Sequence, residues 1–223
     1  MNDERQVIEQ ISNRGGEIAL QRVSGPDIHY ELLYNQTVFR STYDKAVSQA
    51  FAETILGLIK SARGVDVLLG GLGLGSTLQS VLDHPGLRSV TVVDPDEALP
   101  GWCRKHLDMA PALDDERTQL VVGSFPQFVE AAPTSYHGIG LEIDLGPTRV
   151  LQEENRRAYS MSTLSTLASR LRTEGVLVVR VSEEDKAYQR ALDEVFSEVG
   201  AKTVERTNSM GQSVTGVFYV ARM

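Results

Sequence analysis

Three closely spaced glycines and one carboxylate have the arrangement of a nucleoside-binding site. Gly71, Gly73 and Gly75 directly follow one apolar run, and Asp94 ends the next apolar run. Glycine lets a loop turn tightly and leaves room for a ligand against bare backbone. A carboxylate about twenty residues further along suits the two hydroxyls of a ribose. The stretch therefore predicts a strand, a glycine loop, a helix and a second strand that together bind a nucleoside.

The glycine spacing distinguishes between two classes of nucleoside ligand. Residues 71–75 read G-x-G-x-G, whereas the dinucleotide fingerprint is G-x-G-x-x-G. The shorter motif is the usual first loop of enzymes that bind S-adenosylmethionine (SAM), which carries no pyrophosphate. We therefore expect SAM as the cofactor, and the spacing disfavours an NAD-binding protein.

A pair of carboxylates, Glu142 and Asp144, ends a strand predicted at residues 138–144. Open α/β sheets bind their ligands at this edge. Side chains two residues apart in a strand point the same way, and a carboxylate there could orient an amine or hydroxyl nucleophile and take its proton. We expect Asp144 to be the main catalytic group, with Glu142 in support. The competing interpretation is that both cap the loop and pair with Arg149 or Arg156.

Length and composition limit the class of protein. The 223 residues are 41% hydrophobic and 23% charged, as in a globular protein with one substantial core. The net charge of −8 argues against a nucleic-acid or anionic-membrane partner, because either needs a basic face. Cys103 is the single cysteine, and no cysteine–histidine cluster has zinc spacing, so no metal is expected. The charged N-terminal segment and the lack of a long apolar run predict a cytoplasmic protein.

The elements that position these residues follow from the apolar patterns. A short helix is predicted at residues 1–14, a small antiparallel sheet at 17–39 and an amphipathic helix at 41–62. Strands then follow at 65–69, 89–94, 119–123, 138–144, 175–181, 201–207 and 214–221, and helices at 76–84, 97–107, 125–131, 153–172 and 185–199. This alternation predicts a mainly parallel sheet with helices on both faces and an antiparallel hairpin at its edge. We expect a small N-terminal helix and β region at 1–40 and a SAM-binding α/β domain at 41–223.

Five stretches of the sequence resemble the spermidine/spermine synthase family, which lies within the class I SAM-dependent methyltransferase superfamily. They are LLGGLGLGSTLQSVLDHP (68–85), VTVVDPDEAL (90–99), LVVGSFPQFV (120–129), YHGIGLEIDLGP (136–147) and LQEENRRAYSMSTLSTLASRLRTEGVLVV (151–179). The resemblance implies an α/β, Rossmann-like class I methyltransferase fold. Its seven-stranded, mainly parallel sheet ends in a C-terminal antiparallel hairpin and is preceded by a small N-terminal β region. The resemblance also implies a homodimer.

The same resemblance assigns roles to individual residues. The glycine loop passes under the methionine part and the ribose of SAM, and Asp94 holds the ribose hydroxyls. Ser124 takes the place of an aspartate that contacts the adenine amine, and Phe125 beside it supports adenine binding. We expect Tyr43 to line the acceptor pocket from an N-terminal lid. Tyr159 is expected either at the rim of the site or in plain packing.

Two departures from the family pattern decide the expected reaction. Leu74 stands where aminopropyltransferases carry an acidic residue in the glycine loop, and the segment at 142–147 has fewer carboxylates than their motif after the fourth strand. Because aminopropyl transfer uses a carboxylate at the ammonium of the donor, we expect methyl transfer from SAM to a small-molecule acceptor, with an amine among the candidates. The alternatives are aminopropyl transfer from decarboxylated SAM, as in spermidine synthases, and a non-catalytic or NAD-binding protein.

Overall fold

The computed structural model describes residues 4–13, 15–132 and 134–223, and the first strands within them form an antiparallel sheet. In chain order these strands are β1 (Glu4–Asn13), β2 (Gly16–Ser24), β3 (Ile28–Tyr34) and β4 (Thr37–Ser41). They also lie side by side in that order. Helix α1 (Lys45–Gly57) follows this N-terminal sheet and leads into a second sheet.

The first strand replaces the helix predicted at residues 1–14, so that prediction is wrong for the described residues 4–13; residues 1–3 and 14 lie outside the described part. The pairing of β1 with β2 shifts register between Val7 and Glu9. This bulge lets Ile8 and Ile11 both pack on the core, although residues three apart face opposite sides of a regular strand. The bulge therefore produced a spacing that resembles a helix.

The second sheet is built from alternating strands and helices. Its strands are β5 (Val65–Gly70), β6 (Leu87–Asp94), β7 (Thr118–Val122), β8 (Tyr136–Leu141), β9 (Leu171–Val181), β10 (Glu198–Thr207) and β11 (Ser213–Arg222). Its helices are α2 (Ser76–Leu82), α3 (Leu99–His106), α4 (Ala110–Leu113), α5 (Phe125–Ala131), α6 (Met161–Arg170) and α7 (Lys186–Asp193). The spatial order among the described residues is β10-β11-β9-β8-β5-β6-β7, and β11 alone is antiparallel to both of its neighbours. The fold class predicted from the sequence is confirmed.

Two predicted helices have different boundaries in the structure, and one short helix was not predicted. The helix expected at 153–172 is a 3-10 helix, Glu153–Tyr159, followed by α6, because extended Ser160 caps α6 by accepting a hydrogen bond from the Thr163 amide at 3.3 Å. The helix expected at 185–199 ends at Asp193, since the residues from Glu198 onward pair with β11. Helix α4 has no counterpart in the sequence-based prediction.

The strand order reverses between β5 and β8, and ligands of open α/β sheets bind at the carboxyl ends of strands at such a point. The glycine loop follows β5 and the predicted carboxylates follow β8, so the two groups meet at this reversal. The N-terminal sheet reaches the same place through Tyr34 and Arg40. Among the described residues, no helix has the length and apolar character needed to cross a bilayer.

Candidate functional site

The glycine loop begins where the fully buried strand β5 ends, and its three glycines have different surroundings. Gly71, Gly73 and Gly75 all have positive φ angles, of 102°, 54° and 82°. A Cβ on Gly71 would lie 3.1 Å from the carbonyl oxygen of Glu142, and one on Gly75 would lie 2.5 Å from a methionine methyl group. A Cβ on Gly73 would meet nothing closer than Arg40 Cγ, at 3.6 Å. Close packing against backbone therefore requires glycine at 71, the positive φ angle favours it at 75, and Gly73 faces the space beneath Arg40.

Asp94 lies against this loop, as the sequence predicts. Its Oδ2 accepts a hydrogen bond from the Leu72 amide at 2.7 Å, and its Oδ1 accepts one from the Asp96 amide at 2.9 Å. Each carboxylate oxygen has a second lone pair, which could accept a ribose hydroxyl. Burial raises the pKa of Asp94 to about 6, although the Leu72 amide opposes the shift. The residue therefore fits the predicted ribose contact when it is ionised.

The raised pKa of Asp94 makes nucleoside binding sensitive to pH. At pH 5 only about a tenth of a group with this pKa is ionised, and the proton on the neutral form occupies one accepting site. We expect S-adenosylhomocysteine to bind about tenfold more weakly at pH 5 than at pH 7.5, as measured by calorimetry. Asp94→Asn should bind weakly with the same affinity at both pH values. Equal affinity of the wild-type protein at both values would contradict the ribose role.

Tyr34 brings the N-terminal sheet to the end of β6. Its hydroxyl donates a hydrogen bond to Asp96 Oδ2 at 2.8 Å, and both residues are buried. Burial raises the pKa of the Tyr34 hydroxyl, and the neighbouring carboxylates of Asp94 and Asp96 add to the shift. Tyr34 therefore stays protonated and donates to Asp96 beside the predicted ribose site.

The two residues predicted to bind adenine lie at different depths. Ser124 is exposed and precedes α5, and its side chain does not cap that helix. Phe125 is only 2% exposed, and a Cβ on Gly70 would lie 2.8 Å from its ring. The structure thus leaves Ser124 exposed before α5 and packs Phe125 against Gly70 of β5. Their contacts with adenine remain predictions.

The two carboxylates after β8 do not share a face, so the prediction that they point the same way is wrong. The neighbouring strand β5 turns into the glycine loop after Gly70, so β8 loses one of its two partner strands and ends at Leu141. Glu142 therefore lies in the following loop, where its Oε2 is 3.3 Å from Arg180 Nη1 and 3.9 Å from Arg40 Nε. Glu142 lines the same small cavity as Gly73.

Asp144 instead holds the loop that follows β8. Its Oδ1 accepts the amides of Leu145 and Leu151 at 2.7 and 2.8 Å. Its Oδ2 accepts the Gln152 amide at 3.3 Å and the Asn155 side chain at 3.1 Å. Asp144 is 1% exposed, so the geometry makes Glu142 the carboxylate closer to the cavity. The catalytic role of Asp144 remains a prediction.

A conservative substitution distinguishes a structural role of Asp144 from a catalytic role. Asparagine keeps the shape but turns one accepting oxygen into a donor, so buried amide groups lose their partner. We expect Asp144→Asn to lower the free energy of unfolding by about 1–3 kcal/mol in urea titrations. Asp114→Asn, at a side chain that is 62% exposed, should change it by about 0.5 kcal/mol or less. Wild-type stability combined with lost turnover would restore the catalytic assignment.

Two arginines complete this site, and sequence reasoning missed both. Arg40, on β4, donates from Nη2 to the Glu142 carbonyl at 3.1 Å and from Nη1 to the Phe39 carbonyl at 2.8 Å. Burial lowers the pKa of Arg40 to about 9, and nearby Arg180 adds to the shift. Arg180 interrupts the apolar run at 176–181 near the carboxyl end of β9, and that interruption was a usable signal. No comparable sequence feature marks Arg40.

The two predicted substrate-binding tyrosines lie in different surroundings. Tyr43 donates from its hydroxyl to Glu31 Oε1 at 2.7 Å and lines a cavity of about 450 Å³ that reaches Leu74. Tyr159 is 6% exposed, and its ring lies 5.7 Å from that of Tyr188. Burial raises the pKa of Tyr159, and the nearby Asp144 adds to the shift. The structure thus places Tyr43 beside an accessible cavity and buries Tyr159 against the ring of Tyr188. The substrate contacts of both tyrosines remain predictions.

Comparison with known sequences finds a match to the spermine/spermidine synthase domain over residues 45–208. The polyamine aminopropyltransferase 2 of Pseudomonas aeruginosa is 35% identical over 147 residues, which are 60% of this chain and 40% of that protein. The polyamine aminopropyltransferase of Aeropyrum pernix is 31% identical over 159 residues, which are 68% of this chain and 50% of that protein. This chain thus spans half or less of the length of these two relatives.

Comparison with solved structures gives the same fold. The spermidine synthase from Thermotoga maritima superposes with a TM-score of 0.77 and 17% identity, covering 97% of this chain and 72% of that one. A spermidine synthase in complex with the transition state analogue AdoDATO gives a TM-score of 0.78 at 18% identity, covering 97% and 73% of the two chains. At these identities the likeness shows the fold alone.

Proposed function

The chain belongs to the spermine/spermidine synthase family, and on that premise we propose that it is a transferase of the aminopropyltransferase type. It moves the three-carbon amine chain of an adenosyl sulfonium donor to a small amine acceptor and releases methylthioadenosine. Decarboxylated SAM and SAM both carry such a chain. The division into a small N-terminal unit at 1–40 and an α/β domain at 41–223, and a homodimer, are proposed with it.

The expectation of methyl transfer is wrong, because the related proteins are named polyamine aminopropyltransferases and the matching domain is that of spermine/spermidine synthases. The expectation rested on Leu74, which replaces an acid in the glycine loop. Losing that acid removes one contact to the donor. It does not decide which carbon of the sulfonium the acceptor attacks, since that depends on how the acceptor is aligned.

The position of Glu142 is the observation that carries the proposal. Glu142 lines the same cavity as Gly73, and its loop packs against Gly71. A protonated amine is no nucleophile, so a carboxylate there would orient the acceptor and take its proton. On the other side of the loop, Asp94 would hold the ribose and Ser124 would face the adenine. The sulfonium already activates the chain, so the protein mainly binds and orients the reactants.

A non-catalytic protein of the same fold is the second candidate, and the position of Arg40 favours it. Arg40 lies over Gly73, and the cavity between them has a volume of only about 10 Å³. A cavity of that size holds about one water molecule. A donor would have to displace Arg40 before it could bind. A protein that no longer catalyses the reaction could keep this cavity closed, because no donor would need to enter it.

One product analysis separates these functions. The protein is incubated with SAM or decarboxylated SAM and a mixture of small amines, and the nucleoside product is identified by mass spectrometry. We expect methylthioadenosine, and we expect Glu142→Gln to form it about 10²–10⁴-fold more slowly. S-adenosylhomocysteine as the product would contradict chain transfer. No product together with no nucleoside binding would favour the non-catalytic candidate.

A further inference from the structure

Two guanidinium groups with little solvent exposure share one carboxylate beside the glycine loop. The side chains of Arg40 and Arg180 are 10% and 14% exposed, and both approach Glu142 Oε2. Arg180 Nη1 also donates to the Ser48 hydroxyl at 3.2 Å. The three charges sum to one positive charge. A buried charge is costly unless it is paired, so this cluster favours a ligand that brings a negative charge.

The other carboxylates near the site are already engaged. Asp144 accepts four hydrogen bonds from its own loop and Asn155, Asp94 accepts two backbone amides, and Asp96 accepts the Tyr34 hydroxyl. The loop itself contributes no acid, because position 74 is a buried leucine. Within the described residues, the cavity beside Gly73 is lined by Arg40 and by two residues that bond to Arg180, Ser48 and Glu142, and Glu142 is its one acidic residue.

A buried hydroxyl in the same cavity points independently to a ligand. Thr77 is 2% exposed and lines the cavity together with Arg40, Ser48, Gly73, Ser76 and Glu142. Its Oγ1 has no hydrogen-bond partner among the residues that the structure describes. Buried polar atoms in native proteins are nearly always hydrogen-bonded, and each exception calls for an explanation. A hydroxyl is a good donor to a carboxylate oxygen.

We propose that Arg40 and Arg180, together with the Thr77 hydroxyl, bind a carboxylate at the tail of the donor. The inference rests on the proposed chain transfer and names its donor. SAM carries a carboxylate on its three-carbon chain, and decarboxylated SAM does not. The chain that is transferred is then 3-amino-3-carboxypropyl. Arg40 must move off Gly73 as the donor enters, because the cavity beneath it has a volume of about 10 Å³.

The reaction balances with these partners alone. The lone pair of the acceptor nitrogen forms a bond to the chain carbon next to sulfur. The carbon–sulfur bond breaks, and its electron pair stays on sulfur, which gives neutral methylthioadenosine. The proton that the nitrogen loses goes to Glu142. No oxidant, reductant or further reactant takes part.

Calorimetry on the whole chain tests the donor assignment without turnover. We expect SAM to bind at least about tenfold more tightly than decarboxylated SAM. Arg180→Met should reduce this ratio to about threefold or less, Arg180→Lys should retain most of it, and Thr77→Val should weaken SAM alone. Arg172→Met is the matched control: this arginine lies on the same strand but pairs with Asp66 at 3.2 Å, and the variant should keep the wild-type ratio.

Each outcome of this comparison decides the inference. Equal or tighter binding of decarboxylated SAM by the wild-type protein overturns it. So does a normal SAM preference in Arg180→Met, when the circular dichroism of that variant is that of the wild type. A third contrary result concerns the acceptor. If Arg180→Met changed only the relative reaction rates with two acceptors, 4-aminobutanoate and 1,4-diaminobutane, the arginines would bind the carboxylate of the acceptor and not that of the donor. Because affinity is measured, a failure to detect methylthioadenosine would count against the proposed function and not against this inference.

Discussion

Glu142→Ala is expected to lower the free energy of unfolding by about 3–5 kcal/mol, because it leaves two largely buried guanidinium groups without their shared carboxylate. For a chain of this size the loss corresponds to a decrease in Tm of roughly 6–20 °C. Differential scanning calorimetry measures it directly. Glu142→Gln keeps one acceptor and the side-chain volume, and we expect a smaller loss.

The matched control for Glu142 is an acidic residue whose ion pair lies at the surface. The side chain of Glu153 is 76% exposed and pairs with Arg156, three residues along the chain. Exposed pairs of this kind contribute about 1 kcal/mol or less, so Glu153→Ala should barely change Tm. If Glu142→Ala were as stable as Glu153→Ala, the two arginines would not depend on Glu142 for a counter-charge, and they would not favour an anionic donor.

Gly73→Val is expected to abolish nucleoside binding and to leave a folded protein. The φ angle of +54° is unfavourable for a β-branched residue and costs about 1–3 kcal/mol. The new Cβ would lie 3.6 Å from Arg40 Cγ, so the valine methyl groups would fill the space that separates the loop from Arg40. Calorimetry with S-adenosylhomocysteine measures the loss of binding, and circular dichroism confirms the fold.

Gly64→Val is the control for the effect of backbone strain alone. Gly64 has a similar φ angle of +70°, and a Cβ there would meet nothing within 4 Å. It lies before β5, outside the glycine loop. Both variants should lose a similar amount of stability, and Gly64→Val should bind the nucleoside normally. Binding by Gly73→Val at the wild-type affinity would show that the ligand lies elsewhere.

The glycine loop and Asp94 could be predicted because the evidence for them is local. Strand, loop, helix and second strand follow one another within about thirty residues, and a tight turn at a strand end requires glycine wherever it occurs. The positions of Gly71 and Asp94 in the structure match this prediction, since Gly71 follows β5 and Asp94 ends β6. The alternation of strands and helices defines the mainly parallel sheet for the same reason.

The charges around Glu142 could not be predicted because they depend on distant parts of the chain. Arg40 lies 102 residues from Glu142, and Arg180 lies 38 residues from it. The end of β8 was also misplaced, since apolar Ile143 continues the strand pattern while the partner strand β5 has already turned into the glycine loop. The helix predicted at 1–14 failed because a β-bulge imitates helical spacing.

The contact of Arg40 with the loop after β8 also constrains the order in which the molecule assembles. Some 140 positions separate Arg40 from Arg180, so at about 5–20 residues per second the ribosome joins the second arginine roughly 7–28 s after the first. The N-terminal sheet can pair its own strands during that interval, because its contacts are local. The N-terminal sheet can dock onto the second sheet through Arg40 only after Glu142 and β9 have been synthesised. We therefore expect the nascent chain to pass through a state in which this sheet is formed but undocked, and in which its apolar face is accessible to chaperones.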